Sequence, residues 1–221
     1  MSLDADRAAA LALTPVSRET GERLQVFIDL LGRWRSVVNL VSDASFKSVW
    51  TRHVADSAQL LPLAPKALVW VDMGSGAGFP GLVIAIQLAE VEGAHVHLIE
   101  SDQRKSAFLR EAARATGAPV TVHSSRIQEA GSEITSSVDA VTARALAPLP
   151  RLMAFATLWL DKGAIGVFPQ GKRSEFDYFV FPNHGAYDFS FAENIVDRHG
   201  RILVVRKLAL TGVAVSGFAE T

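Results

Sequence analysis

The stretch VDMGSGAGFPG, residues 71–81, decides the fold of this chain. Its apolar start is typical of a buried strand, and the residues that follow it, LVIAI, are typical of a helix. Three closely spaced glycines, Gly74, Gly76 and Gly78, let the backbone turn sharply and approach a ligand without an intervening side chain. Pro80 suits the first turn of the following helix. Open α/β sheets bind nucleotides at such a junction.

Short apolar runs alternate with helix-like stretches on both sides of this turn. From residue 67 they read ALVWVDM, GLVIAIQLAEVEG, AHVHLIE, DQRKSAFLREAARATG, PVTVHS, SVDAVTAR and PLPRLMAFATLWLDKG. This alternation predicts βαβ units, hence an α/β Rossmann-like fold: a mostly parallel, seven-stranded sheet with helices on both faces. The later runs AIGVFP and ILVVRKLAL suit an antiparallel closing hairpin.

A helical extension is predicted before the sheet. Between Ser17 and Leu40, apolar residues recur at spacings of three and four, which indicates an amphipathic helix with Ser17 as its N-cap. A second short helix is predicted from Phe46 to Leu61. The proline-spaced LPLAPK then marks a boundary near Pro65, which gives an extension over residues 1–65 and a catalytic domain over residues 66–221.

Composition excludes several functional classes. The 221 residues are 49% hydrophobic and include no cysteine, so a disulfide framework, a thiolate metal site and a cysteine nucleophile are excluded, and we predict no metal site. No apolar run approaches the ~18 residues of a membrane span, and the N-terminus is acidic where a signal peptide is basic, so we expect a cytoplasmic protein without membrane partners. A net charge of -1 gives no global basic field.

Glycine spacing alone does not identify the ligand, because Gly76, Gly78 and Gly81 also match the dinucleotide fingerprint. Asp72 ends the strand before the glycines, where a carboxylate would face the ammonium group of S-adenosylmethionine (SAM) and would repel a pyrophosphate. Glu100 ends the next strand and would accept hydrogen bonds from ribose hydroxyls of either cofactor. Together these features favour SAM and a class I SAM-dependent methyltransferase.

The motifs that the chain lacks limit which atom could accept the methyl group. Methylation of pyrimidine C5 needs a cysteine. Enzymes that methylate the adenine amino group usually contain a Pro-Pro turn. The chain has neither. Guanine N7 carries an in-plane lone pair, so no base is required and alignment alone can supply about 7–11 kcal/mol. The same absence also suits a site whose base is not recognisable from sequence.

The chain resembles the RsmG family, also called glucose-inhibited division protein B. The stretches that carry the resemblance are collinear from about residue 20 to about residue 175: NLVSD at 39, RHVADS at 52, VDMGSGAGFPGLVIAI at 71, LIESDQRKSAFLREAA at 98, SRIQEA at 125 and TARALAPLPRLM at 142. The resemblance implies methylation of guanine N7 in the decoding-region loop of bacterial 16S ribosomal RNA (rRNA). The partner would be 16S rRNA or a small ribosomal subunit particle.

The resemblance also implies site residues. Gly74 and Phe79 would line the methionine and adenosine side of the cofactor, and Ile127 and Gln128 would frame the adenine. Arg144 matches the family's cofactor-binding arginine. Its role would be positioning without a general base, and its guanidinium suits either the SAM carboxylate or an RNA phosphate.

The chain departs from the family pattern near its C-terminal end. In FPQGKR, Gln170 stands where many members have a lysine, and Lys172 or Arg173 would supply the charge instead. No family motif matches beyond about Tyr178.

Local basic groups could bind RNA despite the neutral net charge. The candidates for RNA contact are Arg33, Arg35, Arg52, His53, Arg104, Lys105, Arg126 and Lys172, with Arg110, Arg114 and Arg151 as further positive charges. Because few counterions would be released, we expect folded rRNA or a ribosomal particle to be a better substrate than a short oligonucleotide.

Three other functions remain open from sequence. A SAM-dependent enzyme acting on a small metabolite is compatible with the glycine turn. A nicotinamide-dependent oxidoreductase is compatible with the glycine spacing, although no Tyr-x-x-x-Lys pair is present. A non-catalytic RNA-binding protein would have no need of Asp72 and Glu100 beside the glycine turn.

Overall fold

A computed structural model describes residues 2–171 and 184–208. The strands are β1 (Val69–Met73), β2 (His95–Ile99), β3 (Val120–His123), β4 (Ala140–Thr142), β5 (Ile165–Gln170), β6 (Tyr187–Glu193) and β7 (Arg201–Lys207). They form one sheet in the order β3-β2-β1-β4-β5-β7-β6. Only β7 runs antiparallel to its neighbours, β5 and β6. The predicted mostly parallel sheet and its antiparallel closing hairpin are confirmed.

Eight α-helices connect or precede these strands in the described residues. They are α1 (Leu3–Leu13), α2 (Arg18–Trp34), α3 (Asp43–Phe46), α4 (Asp56–Ala58), α5 (Gly81–Gln87), α6 (Gln103–Thr116), α7 (Ile127–Glu133) and α8 (Leu149–Leu160). Successive β1 residues point to opposite faces of the sheet. Trp70 therefore joins the core formed with α2, α5 and α6, and Val71 joins the core formed with α7 and α8. Helices cover both faces, as predicted.

The N-terminal extension differs in part from its prediction. The amphipathic helix is α2, and Ser17 caps it by accepting a hydrogen bond from the Thr20 amide at 3.0 Å. The short helix predicted around Phe46 to Leu61 is present, but it is shorter than predicted and is not a regular α-helix. That stretch contains the end of α3, a π-helical segment Trp50–Ala55, the short α4 and a 3₁₀ turn Leu61–Leu63.

A buried carboxylate caps the start of the π-helical segment. Asp6, on α1, is fully buried and accepts hydrogen bonds from the Trp50 amide at 2.9 Å and the Thr51 amide at 3.2 Å. These are amides that a helix start leaves without partners. The contact anchors α1 to the segment that carries Arg52 and His53. The division at residue 65 stays a prediction, and α2 shares one core with α5 and α6.

The glycine turn holds the conformation for which its residues are suited. Gly74, Gly76 and Gly78 all have positive φ, at 73°, 54° and 91°. A Cβ on Gly81 would lie 2.5 Å from the Asp72 Cβ, so glycine alone allows α5 to pack this closely on β1. Pro80 lies one position before α5, at its N-cap, rather than within the first helical turn as predicted.

Among residues 2–171 and 184–208, no helix combines the length and the apolar character needed to cross a bilayer.

Candidate active site

A cavity of about 550 Å³ lies beside the glycine turn, at the carboxyl ends of β1 and β2. Its volume suits a small-molecule ligand. The wall includes Gly74, Gly76, Ile99, Glu100, Ser101, Lys105, Ser125, Arg126, Ile127, Gln128, Arg144, Ala145, Leu146, Ala147, Arg151 and Phe155. We call it the cofactor cavity.

Glu100 fixes the shape of the glycine turn. One carboxylate oxygen accepts a hydrogen bond from the Gly76 amide at 2.9 Å, and the other accepts from the Asp102 amide at 2.8 Å. Each oxygen of an ionised carboxylate has two lone pairs, so both can still accept a second donor. Glu100 thus holds the turn while keeping acceptors for a vicinal diol in the cavity.

Asp72 lies beneath the turn and is not part of the cavity wall. It is fully buried, and its Oδ2 accepts a hydrogen bond from the Gly81 amide at 3.0 Å. Its Oδ1 is buried without a hydrogen-bond partner in the described chain. Burial raises the pKa of Asp72 to about 6. An unsatisfied carboxylate oxygen this close to the turn favours a positively charged ligand there.

A second cavity, of about 460 Å³, adjoins the first at residues 144–147. We call it the acceptor cavity. These four residues line both cavities, and Ala145 among them has a positive φ of 53°. Among the described residues, the remaining wall includes Arg52, His53, Asp56, Ala143, Leu152, Pro169, Gln170, Gly171, Asn194, Val196 and Asp197. Two ligands bound in these cavities would lie next to each other at the 144–147 segment.

Arg144 occupies the shared wall and is held from the N-terminal extension. Its Nη1 donates to Asp56 Oδ2 at 3.2 Å and to the Arg52 carbonyl at 3.3 Å. The guanidinium also lies over the Phe79 ring, 5.3 Å from the centroid. Burial lowers the pKa of Arg144, although Asp56 opposes that shift. Arginine stays protonated even so.

Asp56 connects Arg144 to the C-terminal hairpin. Its Oδ1 accepts from Gln59 Nε2 at 2.9 Å and from Asn194 Nδ2 at 3.0 Å. Gln59 Nε2 also donates to Asn194 Oδ1 at 3.0 Å. Asn194 and Gln59 are both buried. The network therefore joins α4, the end of β4 and the residues after β6.

Phe79 and His53 form a layer under Arg144. Phe79 is buried and lines neither cavity, in contrast to its expected place beside the cofactor. It packs between Phe27, at 5.3 Å, and the His53 ring, which stacks on it at 4.9 Å. Burial lowers the pKa of His53 to about 3, with smaller contributions from Arg144 and Arg52. The imidazole is therefore neutral at physiological pH.

Most of the other predicted residues line one of the two cavities. Ile127, Gln128, Lys105 and Arg126 line the cofactor cavity, and Arg52 lines the acceptor cavity. Arg104 is exposed near the start of α6.

Two N-terminal arginines lie away from both cavities. Arg33 lines a separate cavity between α1 and α2. Arg35 pairs with Asp43 and stacks on Phe46 at 4.2 Å, so it is already engaged. Lys172 and Arg173 lie outside the described residues.

Sequence reasoning missed several wall residues. Asn194 and Asp197 line the acceptor cavity from a stretch in which no motif was recognised. Ser125 and Phe155 line the cofactor cavity, and the buried Ser125 Oγ has no partner among the described residues. An Asn followed three residues later by Asp, between two strands, is a turn signal, but it does not show which site the turn reaches.

Comparison with known proteins identifies the family. The model of the family described as rRNA small subunit methyltransferase G matches residues 20–201. The chain belongs to this family. It is 54% identical over 171 residues to the ribosomal RNA small subunit methyltransferase G of Bradyrhizobium sp. (strain BTAi1), covering 77% of this chain and 77% of that protein. It is 44% identical over 204 residues to the protein of the same name from Rhodopseudomonas palustris (strain BisB5), covering 92% of this chain and 88% of that protein.

A solved structure supports the fold. The O-methyltransferase from Bacillus cereus in complex with SAH superposes with a TM-score of 0.59 at 15% identity, covering 92% of this chain and 97% of that chain. The predicted class I methyltransferase fold is confirmed, and the chain is a SAM-dependent methyltransferase.

The residues of the cofactor cavity fit SAM. The glycine turn leaves room at the backbone, Glu100 offers acceptors, and the unsatisfied Ser125 hydroxyl can bind a polar edge of the adenine.

Proposed function

We propose that this methyltransferase modifies guanine N7 in 16S rRNA, presented as folded RNA or as a small ribosomal subunit particle in the cytoplasm. The observation that carries the proposal is the pair of cavities that share residues 144–147. Transfer needs the donor methyl and the acceptor nitrogen in contact and in line, and two cavities that adjoin at residues 144–147 bring donor and acceptor next to each other. The relatives are named as ribosomal RNA small subunit methyltransferases, which supports 16S rRNA as the substrate.

In this proposal, each side of the cofactor cavity binds a different part of SAM. Glu100 accepts from the ribose hydroxyls, while Ile127 and Gln128 hold the adenine between β3 and α7. Bound SAM supplies an electrophilic methyl group on a sulfonium. Arg144, at the shared wall, fixes the boundary between the two cavities and offers a guanidinium to a carboxylate or a phosphate.

Neither His53 nor Asp56 is free to act as a base in the acceptor cavity, which suits a nucleophile that loses no proton. Its histidine, His53, has its pKa lowered to about 3, and its Nε2 is hydrogen-bonded to Ser45 Oγ. A base this weak removes few protons at neutral pH. Asp56 already accepts from Arg144, Gln59 and Asn194. Guanine N7 attacks through a lone pair, so the residues need only position it.

The test is transfer of labelled methyl from SAM to small subunits and to free 16S rRNA that lack the modification, with the nucleosides resolved by mass spectrometry. We expect 7-methylguanosine at one position and a loss of about 100-fold or more in kcat/KM for Arg144→Ala, because a positioning contact of a charged group is removed. Arg114→Ala is the matched control, since Arg114 is exposed on α6 and lines neither cavity. SAM binding without label in RNA would contradict the proposal and favour a small-metabolite substrate.

A further inference from the structure

We infer that Asp197 selects guanine by pairing with the N1–H and N2–H donors of the acceptor base. The inference rests on the proposed function and adds the residue that reads the base. Asp197 lies in the turn between β6 and β7 and lines the acceptor cavity, which also includes residues 144–147.

The turn that carries Asp197 is held rigidly. The buried Asn194 accepts hydrogen bonds at its Oδ1 from the Val196 amide at 2.9 Å and the Asp197 amide at 2.8 Å. The Asp197 carbonyl accepts from the Gly200 amide at 2.9 Å. Because Asn194 also donates to Asp56, the turn is connected to the pair that positions Arg144.

Asp197 retains hydrogen-bonding capacity that other groups of this wall lack. Asp56 accepts from Arg144, Gln59 and Asn194. By contrast, Asp197 Oδ1 accepts only from the His199 amide, at 3.0 Å, and Oδ2 accepts from no group in residues 2–171 and 184–208. Its carboxylate is thus the open acceptor pair of the cavity.

Guanine is the base whose hydrogen-bond donors match the two acceptor oxygens of a carboxylate. Its Watson–Crick edge presents two adjacent N–H donors, at N1 and N2, while adenine presents an acceptor at N1 that a carboxylate would repel. Enzymes that take a base out of the stack read it through this edge. The edge does not include N7, so pairing with Asp197 leaves the N7 lone pair free to face the shared wall.

Gln170 is placed to contact a third atom of the guanine, O6. Its side chain lines the same cavity and has no hydrogen bond within the described residues. A side-chain amide can donate to guanine O6. A lysine here, as in many relatives by the resemblance noted above, could donate to the same oxygen.

The experiment combines a variant of the enzyme with a change in the base. Small-subunit RNA is prepared by ligation with either guanosine or inosine at the methylated position, since inosine lacks only the 2-amino group. Methyl transfer is measured for the wild type, Asp197→Asn and the control Asp188→Asn, whose side chain is exposed on β6 away from the cavity wall. Asparagine at 197 can still accept from the His199 amide but offers one acceptor fewer.

For the wild type we expect kcat/KM to fall about tenfold from guanosine to inosine, because the Asp197 carboxylate loses one of its two donors on the base. Asp197→Asn should be slow on both RNAs with a much smaller difference between them, and Asp188→Asn should match the wild type. SAM affinity, measured by calorimetry, should be unchanged in both variants.

Two results would overturn the inference. One is an Asp197→Asn enzyme that binds SAM and keeps the wild-type ratio between guanosine and inosine. The other is a wild type that methylates both RNAs equally, a result that decides the matter even if the variant fails to fold. Failure of the proposed function looks different, because the wild type would then bind SAM and label neither RNA.

Discussion

Arg144 Nη1 lies 3.2 Å from Asp56 Oδ2, an ion pair between residues 88 positions apart. The two side chains are only 20% and 14% exposed, so solvent screens the pair weakly. It joins the N-terminal extension to the carboxyl end of β4, where the two cavities share their wall. The extension is therefore part of the site, because it holds the arginine that faces both cavities.

Removing the charge of Asp56 should destabilise the fold. Asp56→Asn leaves Arg144 partly buried without its counterion, and we expect a loss of about 1–3 kcal/mol in unfolding free energy, less than for a fully buried pair because both groups retain some exposure. Urea titration measures the loss. Glu22→Gln breaks the Arg18–Glu22 pair, whose side chains are 81% and 62% exposed, and should change stability by less than about 0.5 kcal/mol. Equal losses in the two variants would contradict this.

Sequence predicted the sheet, and it singled out Gly74, Gly76 and Glu100, which line the cofactor cavity, because both depend on local signals. The glycine turn, the strand runs and the acidic strand ends are contiguous patterns, and β1 and β2 bring Glu100 to Gly76 by parallel pairing alone. The acceptor cavity depends on contacts between distant segments. Asn194 reaches Asp56 across 138 residues, and such contacts leave no periodicity in the chain.

The bounds of the second N-terminal helix were predicted incorrectly for a related reason. The stretch from residue 46 to residue 61 is apolar at helical spacing, but Asp6 accepts from the Trp50 and Thr51 amides and starts the helical segment at that point. The position of Phe79 was misjudged similarly. The family resemblance implied a place beside the cofactor, whereas the aromatic rings of Phe27 and His53 bury it.

Glu100 should govern the affinity for the nucleoside part of the cofactor. Glu100→Gln keeps one acceptor and loses the other, so the Gly76 amide and the ribose hydroxyls compete for fewer lone pairs. We expect SAM and S-adenosylhomocysteine to bind about 10- to 100-fold more weakly, and to a similar extent, because they share the ribose. Calorimetry with both ligands measures this. Glu129→Gln, exposed on α7, is the control, and selective weakening of SAM alone would count against the assignment.

Asp72 should make stability depend on pH. Its pKa in the folded protein is raised from 3.8 to about 6, so the folded state retains a proton that the unfolded state has lost. Compared with Asp72→Asn, the wild type should be most stable below about pH 4 and should lose stability as pH rises to about 6, at up to about 1.4 kcal/mol per pH unit. Urea titrations of both proteins from pH 4 to pH 7 test this. A constant difference between them would refute it.

His53 should not titrate near neutrality. Its pKa is lowered from 6.5 to about 3, so the imidazole stays neutral and stacked on Phe79 throughout the physiological range. The folded state therefore binds fewer protons than the unfolded state between about pH 3 and pH 6.5, and His53 contributes stability that grows as pH rises through that window. Proton NMR measures this, with the His53 signal assigned by its absence in His53→Gln. A midpoint near 6.5 would mean that the ring is hydrated.

RNA binding should depend on the arginines around the cofactor cavity. It should not depend on Arg114, which lies on α6 away from that cavity. Arg126 and Arg151 are exposed and line that cavity, whereas Arg114 lines a different one beside Gly117. If Arg126 and Arg151 contact phosphates, each alanine substitution should weaken RNA binding and lower the slope of log K against log[salt] by about 1. Arg114→Ala should leave both unchanged. Filter binding of 16S rRNA across a salt series tests this, and equal slopes for all three variants would place the RNA on another surface.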